Sequence, residues 1–173
     1  LDDPVSKFIP EFDRLKRLSF KDGKVELDAS GSPIVVAASR SPTMRELTTH
    51  TAGLSYGLCC MSPKSPDYIP SNAAFVEKNV LGSPDLDEMM KKIIEIPLVY
   101  DPGTRWSYSS AVDVQGYLVQ KISGKKFGDY LNDRIFKPLS MTDTSFVVRP
   151  DQKSRFTDVY HWEQGKLVIN PDA

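Results

Sequence analysis

The sequence contains only two histidines and two cysteines among its 173 residues, and this scarcity limits the metal and redox chemistry it can support. Cys59 and Cys60 are adjacent, and neighbouring cysteines bridge each other only with strain. No third cysteine, histidine or carboxylate lies at a ligand-like spacing from His50 and His161. We therefore expect no metal and no other cofactor, two ordinary loop thiols, and a structural or dipole-compensating His50 at a helix end.

Excess charge and long apolar runs are also lacking. The net charge is −1, with 40% hydrophobic and 26% charged residues, so the chain has no electrostatic footprint for nucleic acid or an anionic membrane. No apolar run approaches the roughly 20 residues that span a bilayer. We expect one globular unit, large enough to bury a core, with neither a nucleic acid nor a membrane as partner.

Short strands are predicted near both ends of the chain. Residues 16–20 and 24–28 flank the pair Asp22-Gly23, which is typical of a hairpin turn. Further short strands are predicted at 34–38, 145–148 and 166–169.

Helices account for most of the predicted structure. Thr43 and Glu46 form a capping box, and the helix that they open should run to about residue 50 and stop at Gly53. Hydrophobic periodicity and breaker residues predict the remaining helices. These lie at 85–96, 109–122 and 127–136, and a long loop covers 54–70.

Four motifs follow one another along the chain. They are His50-Thr51-Ala52-Gly53-Leu54, Asp101-Pro102-Gly103-Thr104, Trp106-Ser107-Tyr108-Ser109 and the run from Ile135 to Thr144. In this order they resemble the serine β-lactamase and penicillin-binding-protein-like superfamily, in particular its esterase and class-C-like branch. The opening run Leu1 to Val5 is similar to the segment just after that family's nucleophile helix, so the resemblance spans nearly the whole chain.

The resemblance implies a fold class and a domain. The chain would be α+β and predominantly helical: the helical region of the β-lactamase-like fold with a few short strands, missing most of the antiparallel sheet. Residues 1–173 would form a single partial domain without the nucleophile segment and the C-terminal sheet strands. We expect the surface that faces the missing sheet to drive self-association.

Tyr108 matches the family's catalytic tyrosine. In this family a serine in Ser-x-x-Lys attacks the substrate, a tyrosine assists, and Lys-Thr-Gly or His-x-Gly completes the site. A lysine ammonium favours the phenolate of the tyrosine, which can then accept the serine proton and pass it to the leaving group. Local sequence alone favours a half-buried aromatic at a helix start for Tyr108, and it is the surrounding family motifs that favour the catalytic interpretation.

Ser110 stands where most β-lactamases have the asparagine of Tyr-x-Asn. This departure favours ester over lactam substrates, and it makes Ser110 a candidate substrate-binding residue, with helix capping as the competing interpretation.

The nucleophile is missing from the sequence. Ser123 is the only serine with a lysine three residues later, but it ends a predicted helix instead of opening one, and it follows Tyr108 where the family places the serine before. Neither Lys-Ser/Thr-Gly nor His-x-Gly occurs. We therefore predict part of a longer serine hydrolase, more a carboxylesterase than a β-lactamase, that acts on a small-molecule ester or lactam and is inactive as this chain alone.

Two alternatives remain open. Residues 53–57 match Gly-x-Ser-x-Gly, so Ser55, with Asp101 or Asp158 and then His161, could form the triad of an α/β-hydrolase. That nucleophile elbow needs a strand before it and a helix after it, whereas a capped helix is predicted before it and a loop after it. The other alternative is a β-lactamase-like domain that has lost its nucleophile and serves binding or assembly.

Overall fold

The structure, a computed structural model, describes residues 1–65 and 67–170. It is 35% helix and 14% strand, so the mixed α and β class is confirmed, whereas the predominance of helix is confirmed only in part. The chain divides into two units, Leu1–Phe127 and Gly128–Ala173. The single-domain assignment stays a prediction.

Two antiparallel strand pairs lie in the first unit. Its strands are β1 (Lys16–Leu18), β2 (Phe20–Lys21), β3 (Lys24–Val25) and β4 (Val35–Ala37). β2 pairs with β3 across the predicted turn, but β1 pairs with β4. Ser19 separates β1 from β2: its N–H donates to Ile34 O (2.9 Å), and its carbonyl accepts from Glu26 N (2.9 Å). The predicted hairpin is therefore present but shorter than expected.

Five α-helices lie within the described residues. They are α1 (Met44–Thr48), α2 (Pro70–Glu77), α3 (Leu86–Ile94), α4 (Ala111–Ser123) and α5 (Phe127–Leu131). The capping box of α1 forms as predicted, and α3 and α4 lie where the sequence predicts helices. α2 was not predicted, and α5 gives way to a π-helical turn at Asn132–Phe136.

The core of the first unit forms around α3 and α4. The apolar stripe of α3 buries Met89, Met90 and Ile93, and α4 packs against both α1 and α3. The largest fully buried side chains are those of Phe12, Phe75, Leu18, Leu47, Leu98 and Leu118. Since Ala111 and Val114 are fully buried, the start of α4 is fixed, and the loop that leads into it is anchored at that end.

The second unit carries a hairpin of β5 (Tyr160–Glu163) and β6 (Lys166–Ile169). β6 was predicted, β5 was not, and the strand predicted at 145–148 is absent. Large apolar side chains of the hairpin remain exposed, among them Trp162 (70%) and Leu167 (60%).

Candidate functional site

The C-terminal end of α1 sets the backbone conformation of His50, the first residue of the first motif. His50 adopts the left-handed conformation, with φ 55°. Its N–H donates to Leu47 O (3.4 Å), and the N–H of Thr51 donates to Glu46 O (2.9 Å). This pair of bonds is a Schellman motif, in which the left-handed residue is usually glycine, although histidine is one of the residues that tolerate it. The helix therefore ends before His50, and the predicted stop at Gly53 is wrong.

Gly53 serves a close approach of two backbone segments. Its φ is 81°, its carbonyl accepts from Val99 N (2.7 Å), and a Cβ placed on it would overlap the carbonyl oxygen of Tyr100. Next to it, the carbonyl of Thr51 accepts from Gly103 N (2.8 Å). The first motif is thus hydrogen-bonded to the second.

The loop that carries Tyr108 is bonded to the same segment. Ser107 N donates to His50 O (2.9 Å), and Ser110 N donates to Ser55 O (3.1 Å). These bonds lie on either side of Tyr108, so the backbone is fixed before and after it. The second and third motifs both meet the first.

Two aromatic rings hold the side chain of Tyr108. The His50 ring stacks on it with a centroid distance of 4.8 Å and an interplanar angle of 26°. Tyr56 meets it edge-on at 5.5 Å and 77°, and Tyr56 in turn packs against Phe75 at 5.6 Å. Tyr108 is nevertheless 51% exposed. A phenol held in this way can donate or accept a proton at an open surface.

Tyr56, which contacts the Tyr108 ring, and Asp113, whose charge acts on Tyr56, both have raised pKa values. Burial raises the pKa of the Asp113 carboxyl, in the first turn of α4. Burial, followed by the charges of Asp113 and Tyr108, raises the pKa of the Tyr56 phenol. Tyr56 is therefore an uncharged aromatic wall of the site.

Ser110 lies at the N-cap of α4, but its side chain makes no capping bond. It is 1% exposed, and its Oγ has no hydrogen-bond partner within the described part of the chain. The hydroxyl is thus covered as the structure stands, and a substrate contact by Ser110 stays a prediction.

Ser123 forms a turn, as expected. It is the last residue of α4, Gly124 follows in the left-handed conformation with φ 68°, and the Ser123 Oγ accepts from Lys125 N (3.2 Å). This is a helix end, whereas the family serine opens a helix.

Ser55 lacks the surroundings of a nucleophile elbow. It is 5% exposed, and residues 51–65 contain neither strand nor helix. Asp101 is committed elsewhere, since it accepts from Ser39 N (2.8 Å) and pairs with Arg17 Nε (2.8 Å). His161 and Asp158 belong to the second unit. The strand–turn–helix geometry that the α/β-hydrolase alternative requires is absent from this segment.

Other features offer little additional chemistry. Across residues 1–65 and 67–170, no group of three or more His, Cys, Asp or Glu side chains could hold a metal ion. None of the helices in this part of the chain has the length and apolarity to cross a membrane. Cys59 and Cys60 are free thiols, and the hydrogen bond between them, with burial, raises the pKa of Cys60 to about 11.

The whole chain, residues 1–173, matches the family model described as Beta-lactamase, and the chain therefore belongs to the beta-lactamase family. This confirms the resemblance drawn from the motif order. The relatives include the esterase EstB of Burkholderia gladioli, 30% identical over 173 residues, which are 100% of this chain and 38% of that protein. The lovastatin esterase of Penicillium rubens is 28% identical over 138 residues, covering 79% of this chain and 32% of that protein.

Among solved structures, the unliganded simvastatin synthase (LovD) from Aspergillus terreus superposes with a TM-score of 0.72 at 28% identity. That match covers 98% of this chain and 40% of the synthase chain. The chain thus spans about two fifths or less of the length of these relatives. These three proteins are named as two esterases and a synthase.

Sequence reasoning proposes Tyr108 as a site residue, which stays a prediction, and it missed the contacts that His50 and Tyr56 make with the Tyr108 ring. His50 and Ser109, which hydrogen-bond, are 59 positions apart in the chain. Local patterns carry no signal for such a contact; the only indication was that both motifs belong to the ordered set.

Proposed function

We propose that the chain supplies the acid/base tyrosine of a serine hydrolase that cleaves or transfers small-molecule esters through an acyl-enzyme. The observation that carries the proposal is the setting of Tyr108, whose ring contacts the rings of His50 and Tyr56 while the residue is 51% exposed. Membership of the beta-lactamase family supports acyl transfer as the reaction class.

In this proposal the Tyr108 phenolate accepts the proton of the serine hydroxyl as the serine oxygen attacks the ester carbonyl. The same proton then passes to the departing alkoxide, so the phenolate is regenerated. The neighbouring lysine of Ser-x-x-Lys favours the phenolate by its positive charge. Serine and lysine come from sequence outside residues 1–173, so this chain alone forms no acyl-enzyme.

The proposed substrate is an ester more than a lactam. Ser110 replaces the asparagine of Tyr-x-Asn, and the relatives EstB and the lovastatin esterase are both named as esterases. We propose that Ser110, at the start of α4, borders the substrate in the complete site.

Covalent labelling tests whether this chain contains an activated serine. The 173-residue chain is treated with a fluorophosphonate and with a fluorescent penicillin, and modified serines are located by mass spectrometry. No serine of the chain should be labelled, because an activated serine needs its adjacent base. Labelling at Ser55 would contradict the proposal and favour the elbow alternative.

Replacing Tyr108 tests the role of its hydroxyl. In the longer, serine-containing protein that carries this sequence, Tyr108→Phe keeps the ring that contacts His50 and Tyr56 but removes the proton carrier. We expect kcat/KM for p-nitrophenyl butyrate to fall about 10²- to 10⁴-fold, the usual contribution of general acid–base catalysis. Tyr130→Phe, which changes a tyrosine of the second unit, is the matched control. Equal activity of both variants would refute the proposal.

A further inference from the structure

His50 contacts three consecutive residues of the loop that carries Tyr108. Its carbonyl oxygen accepts from Ser107 N at 2.9 Å, its ring stacks on Tyr108 at 4.8 Å, and its Nδ1 accepts from Ser109 N at 3.3 Å. One residue thus holds the backbone before Tyr108, the ring of Tyr108 and the backbone after it.

The bond to Ser109 defines the orientation of the imidazole. A backbone N–H can only donate, so Nδ1 presents its lone pair, and the proton of the neutral ring is assigned to Nε2. The Ser109 Oγ also lies 3.3 Å from Nδ1, and Ser109 is only 2% exposed. The Nδ1 edge therefore faces the protein, and rotation of the ring would break its contacts with Ser109.

The backbone of His50 is itself fixed by α1. The Schellman bonds set its left-handed conformation, Leu47 in the last turn of α1 is fully buried, and α1 packs against α4. The direction of the imidazole therefore follows from a packed helix end, independently of the loop that it holds.

We propose that His50 is a positioning residue that holds the Tyr108 phenol in its productive place through ring stacking and the Nδ1 bond to Ser109. This inference rests on the proposed function of Tyr108. A displacement of about 1 Å in a reacting group can cost 10²-fold in rate, so losing these contacts lowers turnover without touching the substrate.

Two substitutions at His50 distinguish the stacking of its ring from its hydrogen bond to Ser109 without straining the backbone. His50→Gly removes the imidazole, and glycine adopts φ 55° readily. His50→Asn removes the ring but returns an oxygen acceptor near the Nδ1 position, and asparagine tolerates the left-handed region. We expect kcat in the serine-containing protein to fall about 10-fold or more in His50→Gly, with KM changed less than about twofold. His50→Asn should recover part of this loss.

A double-mutant cycle tests whether His50 acts through Tyr108. Once Tyr108→Phe has removed the hydroxyl, its placement no longer matters, so His50→Gly should then cost less than about twofold. Ser140→Gly, at another residue with φ 55°, is the matched control and should leave kcat unchanged. If His50→Gly does not fold, the same cycle is run with His50→Asn.

A readout on the 173-residue chain does not depend on activity. Amide hydrogen exchange at Ser109 should accelerate in His50→Gly and return towards the wild-type rate in His50→Asn. Unchanged exchange would overturn the inference.

The outcomes distinguish the two proposals. If Tyr108→Phe lowers activity as expected, but His50→Gly costs nothing or costs the same factor in the Tyr108→Phe background, the positioning role is refuted and the function of Tyr108 stands. If Tyr108→Phe leaves activity intact, both proposals fail.

Discussion

Gly53→Ala should destabilise the first unit far more than a glycine-to-alanine change normally does. An alanine there would hold φ 81°, and its Cβ would overlap the Tyr100 carbonyl oxygen while lying 3.2 Å from the carbonyl carbon. Both atoms are backbone, so no side chain can rotate away. The two segments must separate, and this lengthens the bond from Val99 N to Gly53 O, which is now 2.7 Å.

The expected cost has three parts. Holding alanine in the left-handed region costs roughly 1–2 kcal/mol. Forcing extra volume into a packed site costs about 1–3 kcal/mol more, and loss of the buried backbone bond adds about 1–3 kcal/mol. Gly31→Ala supplies the control, because Gly31 has φ 82° but a Cβ placed on it would meet none of the described atoms within 4 Å. Gly31→Ala should therefore show only the cost of holding alanine in the left-handed region.

Urea unfolding measures the difference. The sequence has two tryptophans, so a Trp162→Phe background leaves Trp106 to report on the first unit. We expect Gly53→Ala to lower the free energy of unfolding by at least about 2 kcal/mol more than Gly31→Ala, with similar m values. Equal losses would refute the close approach, and they would also weaken the case that the first motif is locked against residues 99–103.

Two further predictions concern acid stability and association. Hydrogen bonds from Arg40 hold the pKa of Glu46 below its usual range, so its stabilisation is complete above the unfolded-state pKa of about 4.3 and is lost as pH falls through the lower folded-state pKa. Glu46→Gln keeps a capping acceptor, so in this variant Tm should fall less steeply as the pH is lowered. A fall as steep as in the wild type would contradict this. The apolar side chains exposed on the β5–β6 hairpin predict self-association, so the mass measured by sedimentation should rise with protein concentration. The rise should be smaller in the double variant Trp162→Lys/Leu167→Lys. A wild-type chain that stays monomeric at high concentration would contradict this prediction.

Local chemistry explains what could be predicted about the fold. The Asp22-Gly23 turn, the Thr43 capping box and the stripe of α3 all form as the sequence indicates. In each of them the interacting residues lie within a few positions, so propensity and periodicity carry the information.

Non-local contacts explain what could not. β1 pairs with β4, which is distant in sequence, instead of with its neighbour β2, and strand propensity does not select a partner. α1 ends at a histidine in the left-handed conformation, whereas the usual rule expects glycine there. The glycine that the rule favours, Gly53, is instead required by the approach of Tyr100.

The sequence by itself determined the family, because four motifs in one order are far more specific than any of them alone, and it singled out Tyr108 within them. It also established that Ser123 is the only serine followed by a lysine at the required spacing. Only the tertiary structure decided what surrounds Tyr108. His50 and Tyr56 reach its ring because a helix end and a close backbone approach bring distant segments together, and such contacts depend on packing that no local pattern encodes.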